Sequence, residues 1–165
     1  MQKVISLLQP WAQLTVTPNP QTGQAEKRIE TRSWPTNYRG RLAIHASKSP
    51  RDIKRLGGQE HFKDALYPYF APNFSGAIYP ITLTWTETEN MVAPIWLPLG
   101  AIVGHVRLVD CIQMTAAWIE TIGKKERAFG HYEVGRWAWL LADAELLPQP
   151  IPARGRLGIW DWEEE

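Results

Sequence analysis

The chain has 165 residues, the size of one domain, and 44% of them are hydrophobic, which is enough to build a core. Its one cysteine, Cys111, excludes an intrachain disulfide framework and a zinc site made of several cysteines. The net charge of +1 excludes a polycation, and we find neither a signal peptide nor a run of about 18 apolar residues that could span a membrane, so we expect a cytoplasmic protein without a membrane partner.

Apolar patterns separated by turn residues predict the elements of the first third of the chain. In the strand predicted around Glu30, the side chains of Ile29 and Thr31 would share one face and those of Glu30 and Arg32 the other, because side chains alternate along a strand. Prolines and a glycine predict a loop at residues 17–24. The predicted elements are strands at residues 4–8, 27–32 and 42–46, and a helix at residues 11–16.

The middle of the chain carries weaker patterns. Pro50 fits the first turn of a helix that we expect to continue to Tyr67, because the first turn leaves N–H groups unpaired and proline has none. Residues 68–100 are rich in prolines and aromatic residues. We expect long loops there, with one short strand at residues 81–85.

The last third has the strongest strand pattern, at residues 101–111. Thr115 can cap a short helix that ends near Ile122. We also predict strands at residues 137–141 and 157–162, and extended backbone at residues 146–152. Strands separated by short helices, without a repeat or a linker, indicate one α+β domain over residues 1–165, a mixed β-barrel with peripheral α-helices.

Although the net charge is low, one segment of the chain is strongly basic. Residues 27–55 contain nine basic residues and only two acidic ones, Glu30 and Asp52. Such a segment on a nearly neutral protein indicates a phosphate-bearing partner. It is also typical of a solvated surface balanced by carboxylates that are distant in sequence, and the charge alone leaves both interpretations open.

Familiar catalytic and cofactor motifs are missing from the sequence. It contains no glycine-rich phosphate loop, no paired metal-ligand spacing and no serine nucleophile elbow, so we predict no metal and no cofactor. The nine tryptophans are many for this length, and most are expected in the core. Trp34 lies two residues after Arg32, and Trp11 follows a proline at the end of a predicted strand. An aromatic face near an arginine could stack on an unpaired base. Packing is the alternative for Trp34.

Lys27, Glu30 and Arg32 form a compact polar cluster. A lysine beside a carboxylate can bind a phosphate, polarise a carbonyl or, when desolvated, act as a base. A glutamate can accept a hydrogen bond from an exocyclic amine such as that of cytosine. The alternative is a salt-bridge cluster on an exposed strand, which contributes little to stability.

Several segments together resemble the ASCH domain family of the PUA-like superfamily, from about residue 3 to residue 162, with a less familiar inserted segment at residues 51–99. The segments are SLLQPWAQLTV, EKRIETRSWPTNYRGRLAIHASK, GAIVGHVRLVDC, ERAFGHYEVGRWAWLL and LPQPIPARGRLGIWDW. The most specific element is the family signature Gly-x-Lys-x-x-Glu-x-Arg. Lys27, Glu30 and Arg32 match its last three positions, whereas Ala25 stands in place of the glycine and Gly23 lies two residues earlier.

This resemblance implies a β-barrel with a cleft beside the signature, in which the family is thought to bind RNA or nucleotide ligands. Some small members are amidohydrolases that remove the acetyl group of N4-acetylcytidine with a lysine, a threonine three residues later and a glutamate. This chain keeps Lys27 but has Glu30 at the threonine position. Glu126 and Glu133 are the candidates for the second carboxylate.

Arginines beside glycines are further candidates for contacts with phosphate. Arg39 and Arg41 flank Gly40, and they would line the rim of the cleft if the following strand pairs near the signature. Arg136, Arg154 and Arg156 could do likewise from other loops. Each of them could instead be a surface arginine, which is the preferred interpretation for Arg154.

We therefore predict that the chain binds RNA, single-stranded nucleic acid or a modified nucleotide in a polar cleft built around Lys27, Glu30 and Arg32. Lys27 would contact a phosphate or a carbonyl, and Trp11 or Trp34 would stack on the base. The alternative is a metal-independent amidohydrolase acting on an N-acylated nucleobase, with Lys27 and Glu30 as catalytic residues. A third hypothesis is a protein-interaction module that uses exposed tryptophans, and the oligomeric state stays open.

Overall fold

The computed structural model describes residues 1–56, 59–66, 80–84 and 92–163. Short helices alternate with strands along this part of the chain. The strands are β1 (Gln2–Leu7), β2 (Ile29–Arg32), β3 (Gly40–Ala46), β4 (Pro80–Thr84), β5 (Val92–Trp96), β6 (Ala101–Gln113), β7 (Trp137–Pro152) and β8 (Ile159–Trp162). The helices are α1 (Trp11–Val16), α2 (Arg51–Leu56), α3 (Glu60–Leu66), α4 (Ala116–Glu120) and α5 (Lys124–Ala128).

Six of the strands form one mixed sheet in the order β2-β7-β6-β3-β1-β8. β1 runs parallel to β3, and the other neighbours in this sheet are antiparallel. β4 and β5 pair with each other in a separate antiparallel sheet. A mixed sheet with short helices confirms the predicted mixed α+β architecture. In the described residues β2 and β8 are the two edges of the sheet, so closure into a barrel remains a prediction.

Helix α1 is buried in the main core, which it shares with β1, β3, β6 and β7. Five of its six residues are buried, as expected for a helix packed on several sides. The side chain of Gln9 supports the start of the helix, because its Oε1 accepts from the backbone N–H of Gln13 at 3.0 Å. Trp11, the first residue of α1, is only half-buried, and its ring reaches the protein surface.

The sheet curves strongly enough to bring β2 near β1. Three strands separate these two in the sheet order. Nevertheless, the Nη2 of Arg32 in β2 donates to the backbone oxygen of Ser6 in β1 at 3.3 Å. The ends of β1 and β2 therefore face each other across a gap at the edge of the sheet.

Local patterns predicted several elements well. α1 has the predicted bounds, and β1, β3 and β6 differ from the prediction by a few residues. Thr115 caps α4 as predicted, since its Oγ1 accepts from the backbone N–H of Trp118 at 3.2 Å. The predicted strand at residues 81–85 corresponds to β4, although residue 85 lies outside the described residues.

Other predictions of local structure need correction. The single helix predicted from Pro50 to Tyr67 is two helices, α2 and α3, and Gly57 and Gly58 stand between them in the sequence. Glycine lowers helix stability by about 1 kcal/mol relative to alanine, which disfavours a continuous helix there. β7 continues through residues 142–145, where we predicted no strand. The polar helix α5 was not predicted. β5 occupies residues 92–96, where we predicted a loop, and most of the remaining residues of this predicted loop region lie outside the described residues.

Candidate functional site

A cleft of about 590 Å³ lies in the gap between β1 and β2. Its walls come from the end of β1, the start of α1, the strand β2 and the segment after α5. The lining residues are Ser6, Leu7, Leu8, Trp11, Glu30, Thr31, Arg32, Gln59, Ala128, Phe129, Gly130, His131 and Arg136. Two members of the signature, Glu30 and Arg32, therefore line this cleft.

The three signature side chains form a linear ionic chain. Lys27 Nζ lies 2.9 Å from Glu30 Oε2, and Arg32 Nε lies 3.0 Å from Glu30 Oε1. The exposed fractions of these side chains are 1% for Lys27, 13% for Glu30 and 25% for Arg32. Glu30 and Arg32 share one face of β2, as the alternation predicted. Lys27 precedes the strand and lies beneath Glu30, so that it supports the carboxylate from inside the protein.

The position of Lys27 is fixed by backbone contacts on both sides. Its N–H donates to the oxygen of Leu14 in α1 at 3.0 Å, and its ammonium group also donates to the oxygen of Ile29. Gly23 takes a positive φ of 67° in the turn before it, two residues earlier than the family signature places its glycine. The cluster therefore forms although Ala25 replaces the signature glycine.

Glu126, one of the two candidate carboxylates, lies below the start of β2 and does not line the cleft. Its Oε2 accepts from the N–H of Arg28 at 3.0 Å, and its Oε1 accepts from the N–H of Ile29 at 3.1 Å. Burial and the charge of Glu126 raise the pKa of Tyr132, whose protonated hydroxyl lies 3.5 Å from Glu126 Oε1. Since Glu126 is buried and bonded to backbone, its role in the structure is to position the signature strand.

Glu133, the other candidate, lies at the surface. Its Oε2 is 3.1 Å from Nε2 of His131, and both side chains are 65% exposed. The structure does not bring it to the cleft.

The segment Phe129–Gly130–His131 forms the wall opposite β1, and sequence reasoning missed it. The N–H of His131 donates to Thr31 Oγ1 at 2.9 Å, which ties this segment to β2. A Cβ at Gly130 would lie only 3.0 Å from Cγ2 of Thr31, so glycine allows this close approach. In the sequence, Gly130 was the one available signal of this close approach.

The two candidate stacking tryptophans have different surroundings. Trp11 lines the cleft, and its ring is held edge-to-face by Phe62 at a centroid distance of 6.1 Å. Trp34 packs edge-to-face on Trp139 at 4.7 Å, as part of the main core cluster, and is not a lining residue of this cleft.

Arg39 and Arg41 are also directed elsewhere. Arg39 Nη2 lies 2.8 Å from Asp110 Oδ1, and Arg41 Nη2 lies 3.0 Å from Glu145 Oε2. Neither arginine lines the cleft beside the signature, because the cleft lies at the end of β1, which pairs with the end of β3, whereas both arginines lie at or before the start of β3.

Comparison with protein families identifies this fold and signature. The model of the ASCH domain matches residues 5–149. The chain belongs to the ASCH domain family. This is a PUA-like family associated with RNA binding.

Two solved structures are similar to this ASCH domain. The crystal structure of ASCH from Zymomonas mobilis is 16% identical, with a TM-score of 0.48, over 92% of this chain and 73% of that chain. A tyrosine-to-phenylalanine mutant of the Zymomonas mobilis protein is 14% identical, with a TM-score of 0.45, over 92% of this chain and 75% of that chain. A comparison with curated proteins gives no match.

The cleft of this ASCH domain combines three kinds of recognition group. The carboxylate of Glu30 can accept hydrogen bonds, the ring of Trp11 offers an aromatic surface, and Arg32 and Arg136 bring positive charge. Among the residues that the structure describes, no group of three or more His, Cys, Asp or Glu side chains could hold a metal ion. None of the described helices could cross a membrane.

Proposed function

We propose that this ASCH domain binds an unpaired nucleotide, in RNA or as a free or modified nucleotide, in the cleft between β1 and β2. The observation that carries the proposal is the position of Glu30. Its carboxylate faces the cleft while Lys27 and Arg32 hold it from two sides. A carboxylate held in this way is a fixed acceptor for an exocyclic amine of a base.

The dimensions of the cleft support a ligand of this size. Small-molecule sites in proteins have volumes of roughly 300–1,000 Å³, and the cleft has about 590 Å³. An unpaired base can stack on an aromatic side chain, and Trp11 offers such a ring at the wall. Its contact with Phe62 limits the rotation of this ring, so little side-chain entropy remains to be lost on binding.

The charge of the cleft supports a phosphate-bearing ligand. Glu30 is neutralised by the buried Lys27, which leaves Arg32 and Arg136 in excess. Arginine binds phosphate through several N–H groups at once, and such charge-assisted bonds are stronger than neutral ones. Nη2 of Arg32 is oriented by the backbone oxygen of Ser6, which leaves other N–H groups of this guanidinium for a ligand.

The affinity for cytidine monophosphate and for a single-stranded RNA of about eight nucleotides tests this proposal. The matched variants are Arg32→Ala and Arg107→Ala, because both remove one surface-accessible arginine that is paired with a carboxylate. We expect Arg32→Ala to weaken binding of both ligands by roughly tenfold or more, since hydrogen bonds to charged groups contribute about 1.5–3 kcal/mol. Equal affinities for the two variants, with both folded, would contradict the proposal.

Hydrolysis of an N-acylated nucleobase is the second candidate function. The observation that favours it is the Lys27–Glu30 pair, since a buried lysine beside a carboxylate is a group that can move a proton. Incubation with N4-acetylcytidine, followed by chromatography of cytidine, tests this activity, with Lys27→Ala as the control. Turnover by the wild-type protein that is lost in a folded Lys27→Ala variant supports the hydrolase hypothesis. No turnover by the wild-type protein would contradict this hypothesis.

The hypothesis of a protein-interaction module receives no support from the described residues. Their exposed large hydrophobic side chains are Met1, Val134 and Leu157, and none of these is a tryptophan. Single exposed hydrophobic residues are common on monomeric proteins and do not form a docking surface.

A further inference from the structure

A second cleft, of about 700 Å³, adjoins the first. Ser6 of β1 lines both clefts. The wall of the second cleft continues to the end of β3 and to the loop between β7 and β8. Its lining residues are Ser6, His45, Ser47, Lys48, Gly100, Pro152, Ala153, Arg154, Gly155, Arg156 and Leu157.

Three cations in this second cleft lack a carboxylate partner. Within the described part of the chain, Lys48, Arg154 and Arg156 form no ion pair, although all three are exposed. Several other exposed arginines are neutralised by carboxylates, in the pairs Arg39–Asp110, Arg41–Glu145 and Arg107–Asp143, whereas Lys124 is unpaired among the described residues but lies outside both clefts. The positive charge of the second cleft is therefore available to an anionic ligand.

The loop that carries the two arginines is held by a buried histidine. Nε2 of His45, a residue that is 2% exposed, donates to the backbone oxygen of Ala153 at 3.1 Å. Gly155 packs directly on the imidazole ring, where a Cβ would lie 2.5 Å from Cε1 of His45. The side chain of Arg156 lies over the ring of Trp160 at 5.9 Å from the centroid. These contacts hold the loop before any ligand binds, which reduces the entropy lost on binding.

The unpaired positive charge extends from the loop toward the first cleft. A third cleft, on the other side of the loop, shares Arg154 and Arg156, but its far wall holds Asp161, paired with Lys3, and Glu163, near the N-terminal ammonium group, and so adds no net positive charge. In the second cleft Lys48 adds to the charge of the two arginines, and this cleft meets the first one at Ser6.

We propose that the second cleft binds the backbone phosphates of nucleotides next to the one held in the first cleft. The ligand of this domain is then a single-stranded RNA that passes over Ser6, rather than a free nucleotide. This inference rests on the proposed function of the first cleft. The strand is single because a base can enter the first cleft only when it is unpaired and unstacked.

Binding measurements with two ligands and two double variants test this proposal. The ligands are cytidine monophosphate and a labelled single-stranded RNA of about eight nucleotides. The test variant is Arg154→Ala with Arg156→Ala. The matched control is Arg107→Ala with Lys124→Ala, which removes the same charge from exposed positions outside both clefts.

We expect the test variant to bind RNA about tenfold more weakly and to keep its affinity for cytidine monophosphate, because it loses contacts to neighbouring phosphates only. For two phosphates of a single strand, the slope of log affinity against log salt should decrease in magnitude by about 1.4. The control variant should bind both ligands like the wild-type protein.

Three results would overturn the proposal. The first is an unchanged RNA affinity and salt slope in the test variant, while Arg32→Ala still weakens the binding of both ligands. This result would limit nucleotide binding to the first cleft. The second is an equal loss of RNA affinity in the control, which shows a non-specific effect of charge. The third is the absence of binding of either ligand to the wild-type protein, which overturns the function of both clefts.

Discussion

Removal of the Glu126 carboxylate should destabilise the protein strongly, because this side chain holds the start of the signature strand. Its two oxygens accept from the backbone N–H groups of Arg28 and Ile29 at 3.0 and 3.1 Å. Glu126 is 9% exposed, so water has little access to replace these contacts. Glu126→Ala would leave two backbone donors without their partner.

The size of the effect follows from these contacts. An unsatisfied buried donor costs about 1–3 kcal/mol, so two of them predict a loss of roughly 4 kcal/mol in the free energy of unfolding. Glu126→Gln keeps one oxygen and should lose roughly 2 kcal/mol. Glu133→Ala, at an exposed surface pair, should change the free energy by less than about 0.5 kcal/mol.

Urea unfolding followed by tryptophan fluorescence measures all three variants. The predicted urea midpoint is highest for the wild-type protein and Glu133→Ala, lower for Glu126→Gln and lowest for Glu126→Ala. If Glu126→Ala unfolded at the midpoint of Glu133→Ala, the carboxylate would not support β2 in solution, and the reasoning would be wrong.

Three further predictions concern the tryptophans and the histidines. Trp11→Ala should weaken RNA binding by about 1–3 kcal/mol in a fluorescence anisotropy assay, whereas a folded Trp34→Phe should bind like the wild-type protein, because only Trp11 lines the cleft. Trp139→Ala should lower the free energy of unfolding by about 3–5 kcal/mol in urea, because this side chain is fully buried, and a loss below about 1 kcal/mol would contradict the packing described. Burial lowers the pKa of His45 and His105 below 6.5, so that the unfolded chain binds more protons than the folded one as the pH falls through 6.5. The free energy of unfolding should therefore decrease with falling pH in that range, and a His45→Gln variant that showed the same decrease would exclude the contribution of His45.

The part of the site that sequence reasoning predicted is local. The alternation of β2 placed Glu30 and Arg32 on one face, and the ionic chain confirms that placement. The helix at residues 11–16 followed from its apolar residues and the preceding proline. Such features depend on neighbouring residues alone, so a local pattern contains the necessary information.

The part of the site that sequence reasoning missed depends on contacts between residues that are distant in sequence. Glu126 and Arg28 are 98 positions apart, and nothing near either residue shows that they meet. Helix α5, which carries Glu126, has the sequence KKERA, whose residues favour a helix but show no apolar period that would indicate where it packs. Arg39 and Arg41 were expected at the cleft because of their sequence position, whereas the parallel pairing of β1 with β3 places the start of β3 away from the end of β1 that lines the cleft.

The most direct test of the nucleotide-binding cleft is a titration of isotope-labelled protein with cytidine monophosphate, followed by nuclear magnetic resonance. The backbone signals of Thr31, Arg32, Gly130 and His131 report on the two walls of the cleft. We predict that these signals shift together and saturate, and that the signals of Gly155 in the second cleft shift when single-stranded RNA replaces the nucleotide. Two results would contradict the proposed function. One is saturable shifts at other residues while all four of these cleft signals stay unchanged, and the other is no shift with either ligand.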